Sequence, residues 1–599
     1  MKKDVFFDAS WLPTTVKEVE IIGWNEIDVI LISGDAYIDH PSFGTAVIAR
    51  VIESEGFKVA VVPQPNWQDD LRDFRKFGRP KYFFGVTAGN MDSMVNHYTA
   101  AKRLRSNDAY TPGGKAGFRP DYPTIVYTQI LKNLFPDVPV VIGGIEASMR
   151  RLTHYDYWKN KIQPSILANS GADMLIYGMG EQPVRELVRN LASGVAFSEL
   201  TTIPQTAIVL NKSEPTPKQK EWNDIVLHSF EQCCGSAKLF ADNFIKFEQE
   251  SNKLNAGRLI EAVDDRLVVV NPPFAPMTET EIDSVYELPF KYQPHPRYNK
   301  KEAIPAYEMI KFSVNIHRGC FGGCSFCAIA AHQGKQIVSR SEKSILKEVE
   351  TLVEKPDFKG YISDLGGPSA NMYGMGGNDL QKCQTCLRPS CIYPSVCNNL
   401  KTNHKRIVEL YRKVDKTAGI KKSFIGSGVR YDLLFSEWNK NAGQNEEEYL
   451  RELILNHVSG RLKVAPEHTS PEVLAEMRKP PFKLFKKLKT KFEHIINSQG
   501  LNLELMPYFI SSHPGCSDDD MKTLASEIKT LNIKPEQVQD FTPTPMTLAT
   551  TMFYTGFNPY TGKKVFVARS VEQKRKQKNY FFWWGYAAIE NKLHIRNYS

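Results

Sequence analysis

The sequence predicts an α/β protein in which a doubly wound parallel sheet precedes a parallel barrel or part-barrel. From Asn25 onward, a buried strand, an amphipathic helix ending at Gly56 and a second strand form a βαβ unit. From Phe312 onward, strand and helix patterns alternate in six steps or nearly so. A chain of 599 residues is too long for one ordinary core, so we expect two or three domains.

The first domain is predicted over residues 1–200. An apolar run from Val29 to Ile32 forms a buried strand. Similar runs predict four further strands, at 82–86, 124–127, 138–142 and 174–177. The helical pattern after Glu181 closes the domain. Ligands of such sheets bind beyond the carboxyl ends of the strands, so the glycine-bearing loops there predict a site for a flat or phosphorylated ligand.

Residues 201–305 are predicted to form a connector and a partly irregular excursion. The segment from Glu214 to Gln219 is polar and contains prolines, which is typical of a break between elements. Seven prolines then fall between Asn271 and Pro305. This density predicts an extended connector on the surface.

The second domain is predicted over residues 306–560, with a cysteine-rich insertion at 366–403 and a basic, aromatic tail at 561–599. Its predicted strands are 312–314, 361–365, 423–425, 462–465, 503–506 and 538–541. Its predicted helices are 341–354, 404–416, 446–457, 484–497 and 519–531. In a parallel barrel the loops after the strands line the active-site face, so they hold the candidate site residues.

The loop after the first of these strands carries three cysteines at the spacing C-x3-C-x2-C: Cys320, Cys324 and Cys327. Soft thiolates select iron-sulfur clusters, copper(I) or zinc, and three of them can hold a cubane cluster while its fourth iron keeps no protein ligand. The interleaved glycines allow tight backbone conformations that bring amides near the sulfurs. The alternative is three buried cysteines in a loop.

This spacing, with the aromatic Phe326 before the last cysteine, resembles the signature of the radical SAM superfamily. The resemblance implies an open (β/α)6 part-barrel and a [4Fe-4S] cluster whose unique iron binds S-adenosylmethionine (SAM). It also implies reductive cleavage of SAM to a 5′-deoxyadenosyl radical that abstracts a hydrogen atom from the substrate. An electron donor such as flavodoxin or ferredoxin is the partner that this chemistry requires.

The resemblance also implies a set of cofactor-binding residues: Phe326, Gly366, Gly367, Ser427, Arg430 and Val464. The two glycines occupy the place of the family's motif for the methionine amino group. Its usual acidic residue is a proline here, which leaves the contact to backbone carbonyls. Ser427 would meet the ribose, Arg430 the carboxylate and Val464 the adenine. A tight turn with a surface arginine is an equally weighted interpretation of the segment around Ser427.

Three residues on the same loops are candidate catalytic groups. Glu467 and His468 place a carboxylate beside an imidazole, a pair suited to proton transfer or substrate orientation. Cys516 follows the fifth predicted strand and can act as a second hydrogen donor or thiyl relay. A buried, inert cysteine is the commoner alternative.

The insertion holds four more cysteines at C-x2-C-x4-C-x5-C: Cys383, Cys386, Cys391 and Cys397. Four thiols within fifteen residues form a complete ligand set. We predict a metal there, either a second iron-sulfur cluster or a structural zinc, with free thiols as the alternative.

The first domain looks like the cobalamin-binding domains that precede some radical SAM cores. The cobalamin motif D-x-H-x-x-G is altered, because His40 follows Asp39 directly before Gly44. We therefore expect no coordination of cobalamin by His40, and cobalamin is the least expected of the cofactors.

The composition indicates a globular protein, with a net charge of +9 that is mild at this length. The charge permits an anionic partner such as RNA, although a somewhat basic surface is the simpler interpretation. Ten cysteines, seven of them in two tight clusters, favour metal ligation in a reducing compartment over disulfides. No apolar run of about 18 residues occurs, so we expect a cytoplasmic protein without membrane contact.

The tail from Gly562 interleaves lysines and arginines with aromatic residues. Such a segment can bind single-stranded nucleic acid by charge and stacking. We prefer a helix whose Phe581, Trp584 and Tyr586 pack on the barrel while its lysines face water.

The front domain, the HRGCFGGCSFC loop, RPSCIYPSVC, VAPEHTSPEVL and DFTPTPMT are together similar to the YgiQ-type family of radical SAM proteins. The resemblance covers nearly the whole chain and implies cofactor chemistry without naming a substrate. We predict a radical SAM enzyme of unidentified substrate. Two alternatives stay open. One is methyl or methylthio transfer to RNA or protein, and the other is a non-catalytic iron-sulfur sensing module.

Overall fold

The computed structural model describes residues 8–219 and 221–582, which belong to two compact units. The first unit comprises the chain up to residue 311 together with 331–333 and 384–387. The second unit comprises the rest of the chain. Both are α/β structures, and the predicted fold class is confirmed.

The first unit is built on a nine-stranded sheet. Its strands are β1 (Val29–Ser33), β2 (Val59–Pro63), β3 (Phe83–Thr87), β4 (Val140–Gly143), β5 (Met174–Ile176), β6 (Thr206–Asn211), β7 (Asp224–Val226), β8 (Arg258–Val263) and β9 (Arg266–Val270). Their order across the sheet is β7-β8-β9-β6-β5-β4-β3-β1-β2. The five strands from β1 to β5 are parallel, as predicted. Every residue of β1 and β2 is buried, which is typical of a parallel sheet covered on both faces.

The helices of the first unit lie mostly between these strands. They are Val16–Ile22, Gly44–Ser54, Arg72–Arg75, Ser93–His97, Pro123–Leu134, Gly144–Ser148, Ile166–Ser170, Glu181–Ala192, Phe230–Gly235, Ala237–Asn252, Glu279–Tyr286 and Pro305–Ile310.

One predicted strand, at residues 124–127, is wrong. These residues belong to the helix Pro123–Leu134, which begins with proline at its first turn. Thr124, Tyr127, Thr128 and Leu131 are buried at the helical spacing i, i+3, i+4 and i+7. The short apolar run resembled a strand because the helical period becomes visible only over the following turn.

The stretch 201–305, predicted as a connector, contributes four strands to the sheet. β6 pairs antiparallel with β5, and β9 and β8 continue the antiparallel extension. β7 then pairs parallel with β8. The segment rich in proline follows these strands and contains the helix Glu279–Tyr286, so it is less irregular than its composition predicts.

The second unit contains parallel strands in chain order. They are β10 (Ser313–Asn315), β11 (Tyr361–Ile362), β12 (Asp364–Gly366), β13 (Lys422–Ser423), β14 (Arg461–Glu467), β15 (Glu504–Ser511) and β16 (Gln537–Asp540). Parallel pairs join β10 to β12, β11 to β13, β14 to β15 and β15 to β16. A parallel bridge between Val429 and Val464 continues the order between β13 and β14. These pairings are those of an open part-barrel with six βα steps.

The helices of the second unit alternate with its strands. They are Glu342–Val353, Lys405–Asp415, Gln444–Asn456, Pro471–Met477, Phe482–Ser498, Asp518–Thr530, Leu548–Thr555 and Val571–Asn579. The last helix leads to Phe581, which is fully buried with its ring centroid 5.9 Å from that of Phe509. Trp584 and Tyr586, which we expected beside it, lie outside the described residues. No helix among residues 8–219 and 221–582 has the length and apolar character that a bilayer crossing requires.

Candidate active site

The three cysteines at residues 320–327 occupy a loop that leaves the carboxyl end of β10. A short antiparallel pair, His317–Arg318 with Val338–Ser339, forms the base of this loop. The backbone N–H of Cys320 donates to the carbonyl of Gly334 at 3.2 Å, and that of Cys327 donates to the carbonyl of Cys324 at 3.1 Å. The loop is therefore folded back on itself, with all three thiols half-buried.

Glycines make this close folding feasible. Gly323 has φ +59°, and a Cβ there would overlap the carbonyl oxygen of Pro389 and lie 2.8 Å from the Cβ of Ser390. A Cβ on Gly322 would lie 2.7 Å from Nη1 of Arg430 and 3.3 Å from Sγ of Cys320. At Gly323 the close backbone of Pro389 and the left-handed φ leave room only for glycine, whereas a Cβ at Gly322 would press mainly on the end of the Arg430 side chain.

Arg430 lies against the cysteine loop. Its Nη1 donates to Sγ of Cys324 at 3.5 Å, while its Nε and Nη2 donate to the carboxylate of Asp432 at 3.0 and 2.6 Å. Its backbone exchanges hydrogen bonds with the side chain of Asn371, whose Nδ2 is also 3.0 Å from Nε2 of His404. The Arg430 guanidinium, which we predicted to bind the carboxylate of SAM, is thus held by the carboxylate of Asp432 and directed at Sγ of Cys324.

Burial and the neighbouring thiolates favour the protonated form of the Cys327 thiol, and burial does the same for Cys320, because both have a raised pKa when no metal is bound. Burial raises the pKa of Cys327 to about 12, with further increases from the thiolates of Cys324 and Cys320. Burial also raises the pKa of Cys320, an effect that the positive charge of Arg430 opposes. Metal ligation by these thiols would displace their protons.

The chemistry of the loop fits an iron-sulfur cluster. Three cysteines supply soft sulfur donors, glycines let the backbone come close to them, and Arg430 supplies an adjacent N–H donor. Among the residues that the structure describes, no group of three Cys, His, Asp or Glu side chains is arranged to hold a metal ion.

The loop after β13 is held by Asp364 of the neighbouring strand β12, an aspartate that the sequence analysis did not single out. Oδ1 of Asp364 accepts the N–H groups of Gly426 and Ser427 at 2.8 and 3.2 Å, and Oδ2 accepts the hydroxyl of Ser427 at 2.5 Å. A Cβ on Gly366 would lie 2.7 Å from this hydroxyl. The aspartate two residues before the glycine pair was the available signal, and it fixes the orientation of Ser427.

His317 is a second residue that the sequence did not single out. A Cβ on Gly367 would lie 2.5 Å from Cε1 of His317, so the imidazole lies directly beside the glycine loop. Both ring nitrogens are buried, and neither has a hydrogen-bond partner among residues 8–219 and 221–582. Burial lowers the pKa of His317 to about 3, which keeps the ring neutral.

The candidate catalytic residues lie at the end of β14 and beyond it. Glu467 has φ +67° and is 7% exposed, with Oε1 3.5 Å from Nζ of Lys479. Burial raises the pKa of its carboxyl, against the attraction of Lys479 and Arg430. Nε2 of His468 lies 3.5 Å from Sγ of Cys516, and both side chains are fully buried. Burial lowers the pKa of His468 to about 4, so this pair is neutral at physiological pH.

Two further cofactor-binding candidates have packed environments. The ring of Phe326 meets that of His513 edge-on with centroids 5.9 Å apart. Val464 is 1% exposed within β14, where it is paired with Pro507 of β15.

The four cysteines of the insertion are half-buried. The N–H of Cys391 donates to the carbonyl of Phe321 at 3.0 Å, and that of Cys397 donates to the carbonyl of Cys391 at 2.7 Å. Cys320, Cys391 and Cys397 pack against one cluster of buried apolar side chains: Phe321, Met372, Met375, Ile392, Leu400 and Leu433. Two of the insertion cysteines therefore share packing with the loop at 320–327. A metal held by Cys383, Cys386, Cys391 and Cys397 stays a prediction.

In the first unit, Asp35 in the loop after β1 takes part in a buried group of charged side chains. The guanidinium of Arg119 lies 2.8 Å from carboxylate oxygens of both Asp35 and Asp108, and all three side chains are buried. His40 is fully buried, and its Nδ1 accepts the N–H of Ser42 at 3.1 Å. Asp35 and His40 belong to one of the loops where we predicted a flat or phosphorylated ligand, and that ligand stays a prediction.

The chain is similar in sequence to known proteins. A family model described as "Radical SAM N-terminal" matches residues 11–313, and one described as a domain of unknown function, DUF3362, matches residues 536–587. A UPF0313 protein of Bacteroides thetaiotaomicron is 59% identical over 96% of this chain and 94% of its own length. The UPF0313 protein YgiQ of Escherichia coli is 43% identical over 96% of this chain and 84% of its own length.

Among solved structures, the radical SAM methyltransferase TsrM from Kitasatospora setae, with cobalamin and a [4Fe-4S] cluster bound, matches with a TM-score of 0.48. The match has 14% identity and covers 90% of this chain and 87% of that one. The identity and coverage of the two relatives confirm the resemblance to YgiQ-type proteins, and the chain belongs to the UPF0313 family.

Proposed function

We propose that this chain is a radical SAM enzyme in which Cys320, Cys324 and Cys327 hold a [4Fe-4S] cluster. The observation that supports this most is the thiol loop at the carboxyl end of β10, lined by glycines and contacted by the N–H of Arg430 at Cys324. The chemistry that such a cluster would supply, when bound and reduced, is one-electron cleavage of SAM to methionine and a 5′-deoxyadenosyl radical, which would take a hydrogen atom from the substrate.

The residues of the chain supply position and shelter for this chemistry. Asp364 fixes the hydroxyl of Ser427, which is thereby oriented for a ribose hydroxyl. No acidic side chain follows Gly366 and Gly367, so their backbone carbonyls are the proposed acceptors for the amino group of SAM. The carbonyl of Gly366 also accepts the N–H of Ile316 at 2.9 Å, which leaves it one further lone pair. Glu467 is nearly buried beside Lys479 and can hold or move a proton near the thiols.

The partners of the enzyme are proposed from the same chemistry. A one-electron donor such as flavodoxin or ferredoxin would reduce the cluster. The substrate is of unidentified class, with RNA or a protein as the candidates that the mild positive charge permits.

The test is anaerobic reconstitution followed by metal analysis and an assay for 5′-deoxyadenosine under a strong reductant. Cys324→Ala removes one proposed ligand, and Cys234→Ala, which alters an exposed cysteine of the first unit, is the matched control. About four irons per chain in the parent protein, with deoxyadenosine formed by the parent and the control alone, would support the proposal.

Other outcomes discriminate among the alternatives. About eight irons would assign a second cluster to the insertion. A full cluster without any deoxyadenosine would favour the sensing module over the enzyme. Zinc alone in the reconstituted protein would refute the proposal.

A further inference from the structure

We propose that Arg430 sets the reduction potential of the cluster by donating a charged hydrogen bond to a ligand sulfur, a role distinct from binding SAM. This inference rests on the proposed function, because it requires the cluster at Cys320, Cys324 and Cys327. The geometry that supports it involves only described residues of the second unit.

The positive charge of Arg430 lies beside the thiol loop in a poorly solvated place. Its side chain is 12% exposed, and its Nη1 reaches Sγ of Cys324 at 3.5 Å. A Cβ on Gly322 would touch both this nitrogen and Sγ of Cys320, so a second ligand sulfur lies close by. At such sites a charge acts through little solvent, and its effect on a neighbouring charge is larger than at the surface.

The other donors of the guanidinium are already committed. Nε and Nη2 bind the two oxygens of Asp432 in the bidentate arrangement that gives strong, directional hydrogen bonds. Asp432 is 1% exposed, so turning Arg430 toward another ligand would leave a buried carboxylate unpaired. Asn371 also holds the backbone of Arg430 through two hydrogen bonds of 2.8 and 3.1 Å. Nη1 is therefore fixed in its direction toward the sulfur.

The direction in which Arg430 shifts the reduction potential follows from its positive charge. One-electron reduction makes the cluster and its thiolates more negative, and a nearby cation with an N–H bond to sulfur stabilises that state. Removing the charge should lower the reduction potential. Removing the negative charge of Asp432 should raise it, because Arg430 is then less neutralised.

The test is a redox titration of the reconstituted holoenzyme, without SAM, followed by the electron paramagnetic resonance (EPR) signal of the reduced cluster. At a fixed solution potential, we expect Arg430→Gln to lower the ratio of reduced to oxidised cluster about tenfold. This is equivalent to a fall of about 59 mV in the reduction potential of a one-electron couple. Arg430→Lys should lie between Gln and the parent. Asp432→Asn should shift the ratio the opposite way.

The matched control is Arg412→Gln, which removes an arginine that is 45% exposed and paired with Glu452 on the surface. Its potential should equal that of the parent. If Arg430→Gln retains no iron, the test rests on the other two variants. The reduction potential should then be lower than that of the parent in Arg430→Lys and higher in Asp432→Asn.

Failure of the inference differs from failure of the proposed function. Full iron content with unchanged potentials in the Arg430 and Asp432 variants would overturn the role of Arg430 alone. A parent protein that assembles no cluster would overturn both.

Discussion

Replacing Gly323 with alanine tests whether the tight folding of the cysteine loop is needed to hold the cluster. The new Cβ would overlap the carbonyl oxygen of Pro389 and press on Ser390, and both belong to the segment next to the insertion cysteines. Relief requires the loop to move, and Cys324, the next residue, moves with it. We therefore expect the variant to bind the cluster more weakly than the parent protein.

The free-energy cost of Gly323→Ala has two parts. Alanine at φ +59° costs about 1–2 kcal/mol in backbone strain, and forcing a methyl into packed surroundings costs about 1–3 kcal/mol more. Gly500→Ala isolates the first part, because Gly500 has φ +62° and no atom within 4 Å of the added Cβ. The difference between the two variants is then about 1–3 kcal/mol, or roughly fivefold to more than a hundredfold in cluster binding.

The assay compares iron per chain and the resistance of the visible cluster absorption to a chelator in the parent, Gly323→Ala and Gly500→Ala. Thermal unfolding of the metal-free proteins measures any general loss of stability. Gly323→Ala should lose iron much faster than Gly500→Ala. Equal iron retention in the two variants would refute the reasoning, since the overlap with Pro389 would then have no effect on the ligands.

Two further predictions concern a buried thiol and a buried carboxyl. Burial raises the pKa of Cys516 and shields it, so iodoacetamide should label the exposed Cys234 and spare Cys516 in the folded protein. Peptide mass spectrometry measures the labelling of each cysteine, and equal labelling of Cys234 and Cys516 would argue against an inert Cys516. Glu261 is 1% exposed, accepts the N–H of Thr153 at 2.8 Å, and has its pKa raised by burial from 4.5 to about 7. The folded state keeps this proton where the unfolded state has lost it, so Glu261 lowers stability progressively as the pH rises from about 4.5 through about 7. The free energy of unfolding of Glu261→Gln, measured by thermal unfolding, should rise relative to that of the parent from about pH 5 to about pH 8, by up to about 3 kcal/mol. Parallel stability curves for the two proteins would contradict this.

The sequence was most informative where a repeating pattern carried the signal. Each strand and helix predicted after Phe312 occurs within a few residues of its predicted place, because buried strands and amphipathic helices alternate there over long stretches. The error at residues 124–127 arose from an apolar run too short to separate the two periods. The strands β6 to β9 were missed because the proline-bearing break between β6 and β7 and the prolines after β9 suggested a connector.

The contacts within the site could not be read from the sequence. Asp364 and Ser427 are 63 positions apart, and Arg430 and Cys324 are 106 apart, so only the folded barrel brings them together. The spacing of the cysteines indicated a cluster, but nothing in it indicated that Asp432 would engage the guanidinium we expected at the SAM carboxylate. Pairings between loops of different strands are set by tertiary structure and leave no local period.

The most direct test of the account is the EPR spectrum of the reduced, reconstituted protein before and after the addition of SAM. Three cysteine ligands leave one iron accessible, so SAM should change the spectrum of the parent protein, and Cys324→Ala should give no such response. A fully loaded cluster whose spectrum is identical with and without SAM would contradict the account, because all its irons would then already be ligated by other groups.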